Sequence, residues 1–169
     1  MAHYHADVLR SGLKAVFCGL NPATSAVAAG FNFSSSSNRF WSVLFRSGFT
    51  DVHLQPEEER HLLDYGYGIT AVVERPTKRA EDVQPEEFRR ARPRFERKMR
   101  RYAPRAIGFL GKRAFLEMVG MADVAWGRQP TEFAGAAVWI LPNPSGRNRS
   151  FTLNRLVNAY SEFRVALEI

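Results

Sequence analysis

A single cysteine, Cys18, occurs in 169 residues, so no internal disulfide can form, and such sparing use of cysteine suits a reducing cytosol. No apolar run approaches the roughly 20 residues that a membrane-spanning helix needs, and residues 1–10 lack the apolar centre of a signal peptide. The expectation is a cytoplasmic protein with no membrane partner. Internal repeats and coiled-coil heptads are absent. So is the glycine-rich dinucleotide fingerprint, and Gly111-Lys112 lacks both the upstream glycine spacing and the following Ser or Thr of a P-loop. A nucleotide-binding α/β enzyme is therefore the remote reading. His3 and His5 have no further ligands beside them, so no metal site is expected. Acidic residues are also short: 17 Asp and Glu against 24 Lys and Arg leave a net charge of +7. That balance favours a polyanionic partner, because each cation set on a phosphate releases a condensed counterion. Basic proteins that bind no nucleic acid are common, so charge only narrows the field.

What is present reads as one α/β domain over 1–169. Four short apolar, β-forming runs (14–20, 68–73, Ala106–Leu110 and Ala136–Leu141) suit strands buried on both faces, as in a parallel sheet. Helices are expected over 38–48, Pro56–Tyr65, Pro85–Tyr102, 112–119 and 150–167. Asn38 is a natural N-cap and Gly48 a natural stop. Glu57, Glu58 and Glu59 suit the positive end of a helix dipole, and Pro93 is expected to kink or divide the helix around it. The alternation predicts a three-layer α/β/α fold with a central, mainly parallel, four-stranded sheet. Cys18 reads as a small buried strand residue.

Ligands bind such sheets outside the carboxyl ends of the strands. Two segments with unusual chemistry leave those ends. In Gly19-Leu20-Asn21-Pro22-Ala23, the proline stiffens the backbone and aims the Asn21 amide, which can accept from water or donate to a base carbonyl. Taken alone it reads first as an Asn-Pro turn with the Asn bonded to its own backbone. The second, Asn143-Pro144-Ser145-Gly146-Arg147-Asn148-Arg149, adds another stiff asparagine, a small tip and two arginines able to reach phosphates or fill a gap in a base stack. Between them, Phe31 and Phe33 followed by Ser34-Ser35-Ser36-Ser37 suit a base-stacking platform with phosphate donors, although one of the two rings can equally plug the core.

Together with Asn38-Arg39-Phe40-Trp41, Leu62-Leu63-Asp64-Tyr65, Gly68-Ile69-Thr70, Arg75-Pro76-Thr77, Leu110-Gly111-Lys112 and Trp126-Gly127, these motifs run in order over nearly the whole chain. In that order they resemble bacterial mismatch-specific uracil-DNA glycosylase and its relative thymine-DNA glycosylase. The resemblance implies a monofunctional, cofactor-free and monomeric hydrolase of base excision repair. Its partner would be double-stranded DNA with a G:U or related mismatch. It would flip uracil, or thymine or ethenocytosine, from opposite guanine and cut the N-glycosidic bond, leaving an abasic site. It also implies roles: Asn21 positions the attacking water, Leu20 and Phe33 contact the flipped base, and Asn143 lies beside the developing anion. Ser145, Gly146, Arg147 and Arg149 form the wedge that fills the vacated stack.

The chain departs from the family pattern at Leu20, Ala23 and Arg147, the last standing where an apolar leucine is usual. Arg147 can intercalate, or bond the widowed guanine or a phosphate. Stronger uracil glycosylases have a histidine at the place of Asn143, so slow chemistry on weakly paired bases is expected. Asp64 precedes the second strand and is expected nearer the inactive end of the sheet, as a cap or in a surface salt bridge; the alternative is that it, or Glu74, which is otherwise expected to pair with Arg75, activates the water. Lys112, at a strand-to-helix turn, can hold a phosphate. The tract from Arg89 to Arg105 reads as a solvated face or as loose electrostatic steering. The competing function is a nucleic-acid-binding module of the same fold with little or no catalysis.

Overall fold

A computed structural model describes residues 7–168. Five strands make one sheet: β1 (Ala15–Gly19), β2 (Tyr67–Ala71), β3 (Ala106–Leu110), β4 (Gly127–Phe133) and β5 (Ala136–Leu141). Their order is β2-β1-β3-β5-β4. β2, β1, β3 and β5 are parallel, and β4 returns antiparallel to β5. The four apolar runs thus become the four parallel strands, fully or almost fully buried.

β4 corrects the expected count of four. Its sequence Gly-Arg-Gln-Pro-Thr-Glu-Phe is mostly exposed, and its register with β5 shifts between Arg128 and Glu132. A polar strand interrupted by Pro130 belongs at a sheet edge, where a missing backbone donor faces solvent, and it carries no apolar run to betray it. The β4–β5 turn places Ala134 at φ 52° and Gly135 at φ 83°, the paired left-handed conformation of a tight hairpin.

Side-chain alternation along the strands sorts the core into two layers. Phe17 of β1 meets Phe40 of α2 (Phe40–Arg46) and Phe163 of α5 (Leu153–Leu167), with ring centroids 5.4 and 6.0 Å apart. On the other face, Phe109 of β3 meets Phe95 of α3 (Pro85–Tyr102) at 6.2 Å and Phe115 of α4 (Arg113–Val119) at 5.4 Å. A short helix, α1 (Thr24–Ala29), follows β1. It was not expected, because Thr-Ser-Ala-Val-Ala-Ala offers no apolar stripe.

Several local expectations change in detail. Pro56–Tyr65 keeps its predicted bounds but winds as a 3-10 helix, opened by Glu58 accepting from the Gln55 backbone at 3.0 Å. α3 runs through Pro93 undivided. Phe88, Ala91, Phe95 and Met99 are its buried stripe, whereas Pro93 lies on the exposed side, so the hydrogen bond it omits is turned towards water. Asn38 accepts from the Phe40 N–H at 2.9 Å at the start of α2. Cys18 is buried, and burial pushes its thiol up. No described helix is long and apolar enough to cross a membrane.

Candidate active site

The carboxyl ends of β1, β2, β3 and β5 open onto a cavity of about 540 Å³. Its walls are the loop after β1, the loop after β2, the serine-rich segment before α2 and the loop after β5.

The loops after β1 and β2 are laced together. Thr24 N–H donates to the Thr77 carbonyl at 2.9 Å and Thr77 N–H to the Pro22 carbonyl at 3.2 Å. Within this frame Asn21 Nδ2 donates to Thr77 Oγ1 at 2.8 Å and to the Arg75 carbonyl at 2.9 Å. The Thr77 hydroxyl spends its own proton on the Arg79 carbonyl at 2.7 Å, so towards Asn21 it can only accept. Both amide protons of Asn21 are thereby committed, and its Oδ1 is the acceptor left for the cavity. Arg75 is anchored in turn by Glu87 through two contacts of 2.7 and 2.9 Å, which pull the Glu87 carboxyl down to about 2.

Asn143 is fixed the opposite way round. Its Oδ1 accepts from the Ser145 N–H at 2.9 Å, and its carbonyl accepts from Asn148 Nδ2, also at 2.9 Å. Nδ2, a donor, is what remains for the cavity. The loop is held from outside by Arg39, which donates to the carbonyls of Pro144, Ser145, Asn148 and Phe151 at 2.7–3.3 Å. Gly146 rests against Ser37: a Cβ at Gly146 would come within 2.6 Å of the Ser37 carbonyl oxygen. Neither Arg39 nor Thr77 stood out in the sequence beyond its place in a motif. The carbonyls and amide they serve become visible only when the loops are brought together.

Phe33 is half-buried, lines the cavity and packs on Phe40 with centroids 4.0 Å apart. Leu20 is buried in the same wall, and Phe31 lies outside it. Ser145, Gly146 and Arg147 line the mouth, with Arg147 exposed; Arg149 is exposed beyond it. Lys78 and Arg79 add cations to the rim.

Other sequence candidates fall elsewhere. Asp64 is exposed on the 3-10 helix that leads into β2, at the amino end of the parallel strands and so across the sheet from the cavity. That placement removes the geometric ground for Asp64 as a base. Glu74 pairs with Arg94 at 3.3 Å rather than with Arg75, whose partner is Glu87. The carboxylate that does line the cavity is Glu81, exposed and 3.9 Å from Arg79. Lys112 lies outside the cavity, paired with Asp123 at 3.1 Å and 4.8 Å from the Trp126 ring centroid. Much of the basic tract is already engaged: Arg89 with Glu117, Arg92 with Glu96, Arg94 with Glu74 and Lys98 with Asp7. No group of three or more His, Cys, Asp or Glu able to hold a metal occurs among the described residues, and His3 and His5 lie outside them.

One further carboxylate stands behind the wall. Glu59 is buried, and its Oε2 accepts from the Asn32 backbone N–H at 2.9 Å and from Asn32 Nδ2 at 3.1 Å. Burial pushes the Glu59 carboxyl up, and the two Asn32 donors oppose that shift.

The carboxyl edge of the parallel sheet thus carries an acceptor amide, a donor amide and an aromatic face beneath a basic rim, on an α/β fold. The sequence model of the uracil DNA glycosylase superfamily matches residues 6–164, and the chain belongs to that superfamily. Its activity is accordingly of the uracil-DNA glycosylase type, a hydrolysis carried out on DNA.

Proposed function

We propose that the protein is a monofunctional, mismatch-specific glycosylase that removes uracil from opposite guanine in duplex DNA, acting as one domain. The observation that carries the reading is the opposed setting of the two amides. Glycosidic cleavage passes through an oxocarbenium-like sugar and a departing pyrimidine anion. Asn21, with its donors tied back, offers Oδ1 to the attacking water. Asn143, with its acceptor tied back, offers Nδ2 to the negative charge that grows on the base. Phe33 supplies the face on which the flipped ring stacks, beside Leu20.

A neutral amide stabilises the leaving anion less than a cation would, so intrinsic chemistry is slow and selectivity comes from how readily a weakly paired base leaves the stack. Ser145 and Gly146 enter the vacated space. Arg147 and Arg149, both exposed on this loop, reach the phosphates that flank the flipped nucleotide. In keeping with base removal without strand cleavage, no lysine lies within either asparagine loop, the cavity's Lys78 belonging to the loop after β2.

The test is a duplex with one uracil opposite guanine, incubated with the protein and then treated with alkali. A break at the uracil is expected, faster than in the same duplex with uracil opposite adenine. Asn21→Ala should lower the rate about 10²- to 10³-fold while duplex binding persists. No break at any excess of protein would overturn the reading, and binding without cleavage would favour a non-catalytic DNA-binding module.

A further inference from the structure

Glu59 belongs to no wall of the cavity, yet it is 7% exposed and every hydrogen bond described for its carboxylate goes to one residue. That residue, Asn32, is itself 7% exposed and is held from a second side by Trp41, whose indole Nε1 donates to its carbonyl at 3.2 Å. Asn32 immediately precedes Phe33. The Phe33 backbone sits at φ 52°, in the left-handed region that residues with a β-carbon seldom adopt. A conformation of that kind persists only where its surroundings over-determine it. Here two bonds go to the 3-10 helix Pro56–Tyr65 and one comes from α2, so that Asn32 is fixed between two separate elements.

A buried carboxylate is a costly way to accept two N–H groups. What the arrangement provides is direction, since one oxygen receives a backbone and a side-chain donor of the same residue and so fixes both the position and the rotation of Asn32. We propose that Glu59 is a positioning residue for base recognition: through Asn32 it holds Phe33 in its left-handed conformation and sets the plane of the ring that the flipped pyrimidine meets. The role rests on the reading of Phe33 as the stacking face.

Single-turnover cleavage of the G:U duplex is compared for the unaltered chain, Glu59→Ala, Glu59→Gln, Phe33→Ala and the Glu59→Ala/Phe33→Ala double variant. Glu59→Ala should slow cleavage by about tenfold to a hundredfold. Glu59→Gln should recover most of the loss, because a glutamine oxygen can accept both Asn32 donors. In the Phe33→Ala background Glu59→Ala should add little, since its effect is routed through a ring already removed. Additive losses, or a Gln variant as slow as Ala, would overturn the role.

Limited chymotrypsin digestion gives a readout independent of catalysis. Glu59→Ala should be cut at Phe31 and Phe33 faster than the unaltered chain, and Trp41→Phe, which removes the brace from its other side, should behave alike. Unchanged digestion in both would overturn the brace itself. An unaltered chain that cuts no duplex would instead overturn the glycosylase reading, and with it the role, whatever the digestion pattern.

Discussion

Residue by residue, the cavity is governed by side chains that hold other side chains. Thr77 matters because its hydroxyl, with its proton already given to the Arg79 carbonyl, leaves Asn21 one orientation. Thr77→Val should therefore lower kcat by about tenfold to a hundredfold with KM little changed, and Thr77→Ser should keep most of the activity; single-turnover rates set beside duplex titrations separate the two effects. Glu59 gives a pH signature. Burial raises its carboxyl in the native protein above its value in the unfolded chain. The stability this group contributes is then fully present below about 4.3, the ordinary glutamate value, and is lost as pH rises through the raised native value. Glu59→Gln, which keeps the acceptor and cannot ionise, should melt at a higher temperature than the unaltered chain at pH 7. The difference should shrink as thermal scans move towards pH 4. Asn21 and Asn143 were legible in the sequence because each lies in a short motif at a strand end, and Phe33 because it lies in an aromatic loop motif between α1 and α2. Thr77, Arg39 and Glu59 were not, because their partners are 56, 105 and 27 residues away.

Among the elements, the parallel strands were the readable part, since burial on both faces forces continuous apolar runs. Gly108 shows how closely the helices sit on that sheet. A Cβ there would stand 2.9 Å from both Leu141 Cδ1 and Phe163 Cε2, at the β3–α5 contact. Gly108→Ala should cost about 1–3 kcal/mol in urea unfolding, as overpacking in a dense core does. β4 and α1 escaped the sequence because neither carries an apolar face: one is a polar edge strand around a proline, the other a six-residue turn of small side chains. The Pro56–Tyr65 segment was placed correctly but took the tighter 3-10 winding, with Glu59, Leu62 and Leu63 as its buried residues. Periodicity alone separates that poorly from an α-helix over ten residues.

At the scale of the whole molecule, the charge of +7 is less evenly available than the composition implies. Arg89, Arg92 and Arg94 are paired on the α3 flank, whereas Arg147 and Arg149 stand exposed on the loop after β5. Each phosphate contact contributes about −0.9 to the slope of log K against log salt for duplex DNA. Arg147→Ala/Arg149→Ala should make that slope shallower by about 2, whereas replacing Arg89, Arg92 and Arg94 by alanine should change it by less than about 1. Binding isotherms over a salt series decide between them, and the reverse pattern would move the DNA to the α3 face.

The prolines behind the two opposed amides also bear on how the protein ages. Asparagine deamidates chiefly when the backbone nitrogen of the next residue attacks its side-chain carbonyl and closes a succinimide ring. Asn21 and Asn143 are each followed by proline, whose nitrogen carries no hydrogen and cannot close that ring. Asn32, Asn38 and Asn148 have no such protection. The two amides assigned to the chemistry are thus shielded from the slow conversion to aspartate that would turn Asn21 Nδ2, a donor to two oxygens, into a third oxygen facing them.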